Sequence, residues 1–92
     1  MTAVIFEGEF SIGETKKKAD GEPVYFLHKS VTAVFPDHLY VEEIDRSSGI
    51  MVIPSDMPSG LAIGDIVDIS GTIETNDDDE RFIAAGSVTK VM

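Results

Sequence analysis

The sequence predicts an all-β fold, a small barrel of five strands in Greek-key order with a short leading strand and one short helix. Three observations carry this. Apolar and polar residues alternate with period two in several stretches, most cleanly over 65–75, where Val67, Ile69 and Ile73 share one face and Asp68, Ser70, Thr72 and Glu74 the other. Glycine, proline, serine and aspartate cluster between these stretches and punctuate them as turns. No segment keeps apolar residues at helical spacing long enough to bury a face, which excludes helix bundles and parallel α/β folds.

The elements follow in order. Thr2 to Phe10 carries Val4, Phe6 and Phe10 at alternate positions and reads as a short edge strand loosened by Gly8. In Ser11-Ile12-Gly13-Glu14 the serine and glutamate have the spacing of a capping box, so one or two helical turns are expected through Lys18. Asp20-Gly21 and then Pro23 stop that helix and launch an extended segment. From Val24 to Phe35 the chain is β-branched and aromatic but changes parity. Val24 and Phe26 fall on one side and Val31, Ala33 and Phe35 on the other, which a bulge or strong bend near 28–30 reconciles.

Pro36-Asp37 is a turn. Leu39 to Ile44 is a half-buried strand with Leu39 and Val41 inward and Tyr40 and Glu42 outward. A polar connection over 45–49 leads to a short, mostly buried strand from Ile50 to Ile53, ended by Pro54. Residues 55–64 make a crossing loop with room for a brief helical turn. The strand over 65–75 then runs to an acidic tip, Asn76 to Glu80, and Arg81 to Met92 closes the fold. A long strand, two strands of a meander, a crossing loop and a final hairpin make the order of an oligonucleotide/oligosaccharide-binding (OB) barrel.

Composition bounds the rest. The 92 residues, 42% of them hydrophobic with five Phe and two Tyr, suffice for a single domain spanning 1–92 with one core. Without cysteine there is neither a disulfide framework nor a thiolate metal site. No run approaches the roughly 18 apolar residues of a membrane span, and the start has no basic flank of a secretory signal, so a soluble chain without membrane insertion is expected. Seventeen acidic residues against seven basic give a net charge of −10, which repels polyanions and disfavours nucleic acid as a partner.

The run Asp20-Gly21-Glu22-Pro23-Val24, then 31–35, then Tyr40 through Ile50, resembles a group of bacterial OB-fold-like accessory domains that often occur as modules of larger exported proteins. The likeness continues through Gly64-Asp65-Ile66-Val67-Asp68-Ile69-Ser70-Gly71-Thr72 and the Glu80-Arg81-Phe82-Ile83 start of the last strand. It implies a non-enzymatic module of a cell-envelope or secreted protein, extracellular where its parent chain is exported. This chain departs from the tight Asn-Gly-like tip of such domains at Asn76-Asp77-Asp78-Asp79-Glu80.

Candidate chemistry is sparse. The acidic tip lacks the one-residue spacing and fixed glycine of a calcium loop and reads as a solvated turn. His28 and His38 have no neighbouring His or Cys to complete a zinc site, and Ser47, Ser48 and Ser55 lie in no nucleophile elbow. Glu42 and Glu43 point to opposite faces of their strand, which disfavours joint acid/base work. The sequence therefore calls for no cofactor, no metal and no catalytic set. Ligand binding in OB barrels uses aromatics on the second and third strands, which singles out Tyr40, with Phe35, His38 and Arg46 nearby. Lys16, Lys17 and Lys18 form the basic cluster, read as a cationic helix C-terminus. The expectation is a module for protein interaction or structural support whose partner is a protein or a neighbouring domain. A carbohydrate stacked on Tyr40 is the alternative ligand, ahead of single-stranded nucleic acid.

Overall fold

The computed structural model describes residues 11–91, so the leading strand expected over Thr2 to Phe10 lies outside the described residues. The remainder is one helical turn, α1 (Ile12–Thr15), followed by β1 (Pro23–Val34), β2 (Leu39–Glu42), β3 (Gly49–Pro54), β4 (Ile66–Thr75) and β5 (Arg81–Lys90). The strands close into a barrel in the order β1-β2-β3-β5-β4, with β3 and β5 parallel and every other pair antiparallel. This is the OB-like Greek-key barrel expected from the sequence. Among the described residues no helix is long and apolar enough to cross a membrane.

β1 serves both sides of the barrel by bulging. Against β4, Phe26 faces Ile69 and Lys29 faces Val67, so β1 spends one residue more than its partner, and His28 takes up the kink at φ 56°. The displaced His28 amide donates to Asp68 Oδ1 at 2.9 Å. Parity flips there, and Val24 and Phe26 before the bulge and Lys29 and Val31 after it are all buried. A second register shift, between Val31 and Ala33 against β2, was not legible in the alternation. Because of it Val34 packs against the core, whereas Ala33 pairs with outward Tyr40 and Phe35 is exposed, so Val31, Ala33 and Phe35 do not share the face the sequence assigns them.

The core holds Phe26, Leu39, Val41, Val52, Val67, Ile69, Ile73 and Ile83, all without exposed surface. Met57 and Leu61 of the crossing loop pack against it from one side, and Ile12 of α1 belongs to it outright. The loop over 55–65 contains turns rather than a helix. α1 is one turn, not two. Ser11 caps it through a hydrogen bond from the Glu14 amide at 3.1 Å, and the chain leaves the helix at Lys16, so no basic residue lies in its last turn.

Two polar clamps hold α1. Glu43, just past β2, accepts the Ile12 amide with Oε2 at 2.6 Å and the Lys29 ammonium with Oε1 at 2.8 Å. Lys29 has only 5% of its side chain exposed and sits 5.6 Å above the Phe26 ring. At the other end Arg81 donates to the carbonyls of Lys16, the C-cap, and Lys18 just beyond it, at 2.8 and 2.7 Å, which satisfies acceptors that a single turn leaves without intrahelical donors.

A Cβ at Gly71 would collide with the Ala84 carbonyl and lie 2.7 Å from Ala85 Cα, so Gly71→Ala, beside the register shift in β4, should cost about 2 kcal/mol or more in urea unfolding. Glu43→Ala strands a buried ammonium, with an expected loss of about 3 kcal/mol. The Lys29→Met/Glu43→Gln double variant keeps an acceptor for the Ile12 amide and should recover most of that loss in the same measurement.

Candidate functional site

β2 and β3 turn a second face outward. Tyr40 lies opposite Met51, and Met51 opposite Phe82, so the three stand in one lateral row across β2, β3 and β5 on the outside of the barrel. One step along, Glu42 faces Gly49, whose missing side chain leaves the floor open. A Cβ there would come within 3.0 Å of Glu42 Cγ. The result is a cleft of about 230 Å³ with Tyr40, Gly49 and Met51 in its floor and Glu42, Glu80, Lys16 and Arg81 around its rim.

Each rim residue is placed by a different element. Glu80 ends the β4–β5 loop, where Asn76 Oδ1 accepts the amides of Asp78 and Glu80 at 2.9 and 3.0 Å and Asp79 turns at φ 63°. Lys16 follows α1, and the first residue of β5 is Arg81. The Tyr40 phenol reaches toward the loop and donates to Glu80 Oε2 at 3.4 Å. Partial burial and, after it, the Glu80 charge hold this phenol above the ordinary tyrosine value. It therefore remains a neutral hydroxyl donor throughout the neutral range.

The rings extend the cleft. Phe35 and His38 stack at 4.6 Å between centroids and 15° between planes, and Tyr40 meets both edge-on at 6.2 and 5.8 Å. The turn between β1 and β2 makes this possible, closed by the Phe35 amide donating to the His38 carbonyl at 2.8 Å. Asp37 Oδ1 lies 2.6 Å from His38 Nδ1, and that hydrogen bond draws the Asp37 carboxyl below the ordinary aspartate value. Phe35 remains 45% exposed.

Of the residues singled out in the sequence, Phe35, His38 and Tyr40 meet in this cluster. Arg46 does not. It occupies the β2–β3 turn at φ 65° and lines an adjoining cleft with Ser30 and Ile63 that shares Thr32 and Glu42 with the first. His28 is at the β1 bulge, remote in role from His38. Among the described residues no three of His, Asp and Glu are gathered so as to hold a metal ion. Sequence reasoning missed Glu80, Arg81, Lys16 and Gly49 as cleft residues. The one available signal was the Gly49 opening of a strand directly after a hairpin, since a strand glycine marks close approach or an opening.

Fold and cleft together define an OB-like β-barrel with a ring-lined groove on its second and third strands. Among solved structures the chain is similar to that of the hypothetical protein ygiW from E. coli, with a TM-score of 0.64 and 20% sequence identity over 92% of this chain and 100% of that one. At that identity the likeness is one of fold. No family model matches the sequence, and no curated protein matches it as a relative.

The coupling of Tyr40 to Glu80 gives a pH prediction. The unfolded phenol ionises at the ordinary value while the folded one still holds its proton. Its contribution to stability is thus complete below that value and lost as pH rises through the folded pKa. Glu80→Gln should lower the Tyr40 pKa in an NMR pH titration but leave it above the ordinary value, because partial burial persists.

Proposed function

We propose that this chain is a non-enzymatic interaction module that docks a protein partner on the outward face of β2 and β3. The observation that carries this is the partly exposed Phe35–His38–Tyr40 cluster running into the cleft beside it. Aromatic residues with a polar rim are the composition of binding patches, and rings on a closed barrel are held at small entropic cost. A binding role rather than a catalytic one is supported by how the polar groups of the cleft are employed. Arg81 is taken up by the Lys16 and Lys18 carbonyls just after α1, and Tyr40 keeps its proton. The resemblance to bacterial accessory domains supports membership of a larger cell-envelope or secreted chain.

A carbohydrate is the second reading. Tyr40 offers a ring flanked by Glu42 and Glu80, which can accept hydroxyl hydrogen bonds. A single-stranded nucleic acid is disfavoured by the same carboxylates and by the net charge of −10.

The test is an NMR titration of the ¹⁵N-labelled protein with a pool of mixed-sequence peptides, a pool of oligosaccharides and short single-stranded DNA. Peptide-induced shifts centred on Phe35, His38 and Tyr40 are expected. Shifts at those residues from sugars alone would replace this reading with the second, and peptide shifts confined to another face would overturn it.

A further inference from the structure

Resting on that docking face, we propose that the partner is a basic segment that lays an arginine side chain across Tyr40 between Glu42 and Glu80. The cleft is small. At about 230 Å³ it falls below the roughly 300–1,000 Å³ range of small-molecule sites and has room for one long side chain. Its floor includes the Tyr40 ring, and its rim carries two carboxylates, Glu42 from β2 and Glu80 from the β4–β5 loop.

The charges decide the sign. Four charged residues line the cleft, and of the two cations Arg81 already gives both terminal nitrogens to the Lys16 and Lys18 carbonyls and lies 3.5 Å from Asp20. The Glu80 carboxylate, by contrast, is held among the described residues only by long hydrogen bonds, 3.4 Å from the Tyr40 hydroxyl and 3.5 Å from Asn76 Nδ2, which a charged donor would displace. Next to it Asp77, Asp78 and Asp79 are exposed, a second row of carboxylates for residues flanking the arginine. The net charge of −10 adds long-range attraction for a polycation. Arginine is favoured over lysine because its planar guanidinium stacks on an aromatic face and bridges carboxylates at once.

Lys16 makes the proposal sharp. It is exposed on the rim and repels an incoming cation, so removing it must strengthen binding of a basic segment and weaken binding of an acidic one.

The experiment titrates the labelled protein at low salt with three end-blocked peptides of equal length, built from Arg, Lys or Glu interspersed with Gly and Ser. The Arg peptide should shift the amides of Tyr40, Glu42, Gly49 and Glu80, the Lys peptide less and the Glu peptide not at all. Tyr40→Leu, which keeps an apolar side chain, should weaken the Arg peptide about three- to five-fold, and Glu42→Gln and Glu80→Gln by a similar factor. Lys16→Ala should tighten it about two-fold or more. Unchanged dispersion of the variant spectra verifies that each still folds. Weaker binding by Lys16→Ala, binding of the Glu peptide, or shifts spread over the acidic surface and indifferent to Tyr40→Leu would overturn the proposal. If the Arg peptide is silent while the mixed pool still shifts Tyr40, the docking face stands and the cationic partner falls; silence from both removes the docking face as well.

Discussion

A twelve-residue strand that must pair with β4 at its start and with β2 at its end has to turn a corner, and β1 turns it at His28. The left-handed backbone there is stabilised by the hydrogen bond from its amide to Asp68, and the extra residue flips the parity of everything after it. Lys29 is thereby directed inward. An ammonium with almost no exposed surface needs a counter-charge, and Glu43 provides it from the end of β2. The same carboxylate has a second oxygen, which takes the first amide of α1. One backbone irregularity thus fixes the site of an ion pair, and the ion pair fixes the site of a helix.

That helix has consequences at the surface. A single turn has little intrinsic stability, and α1 persists because Ile12 is buried in the barrel core while Glu43 and Arg81 secure its two ends. Securing it places Lys16 on the rim of the β2–β3 cleft and removes the Arg81 guanidinium from the cations available there. The electrostatics of the candidate binding face are therefore set by the barrel's internal accounting. Arg81 is positive in formal charge, but its terminal donors serve backbone carbonyls, which leaves the two carboxylates, the tyrosine ring and a single ammonium, Lys16, as the groups facing an incoming ligand.

Much of this was legible in the sequence and part of it was not, for physical reasons. Strand alternation found β2 and β4 because each has a single inward face that must be apolar, and the change of parity between Phe26 and Val31 announced the first bulge. The second shift passed unseen because Val31 to Phe35 is uniformly apolar apart from Thr32, so no polar residue marks the slipped register. Phe35, His38 and Tyr40 could be grouped from proximity along the hairpin. Glu80 and Arg81 could not, being forty residues from Tyr40 along the chain and brought beside it only by closure of β5 onto β3. Arg46 stands outside the ring cluster because a turn residue's direction depends on its backbone conformation, here φ 65°, which composition does not specify.

The location of the rings bears on how such a face would work. Phe35 and His38 belong to a tight turn and Tyr40 to a strand of a closed barrel, so their mutual geometry is maintained without a partner and little ordering is required on docking. The acidic rim is different. Glu80 sits at the end of a loop whose conformation rests on its own asparagine, and its contacts across the cleft are long. A rigid aromatic floor with an adaptable acidic rim favours a ligand recognised chiefly by charge and by stacking, with tolerance in the sequence on either side. A module of that kind would read basic segments as a class and take finer selectivity from whatever chain carries it.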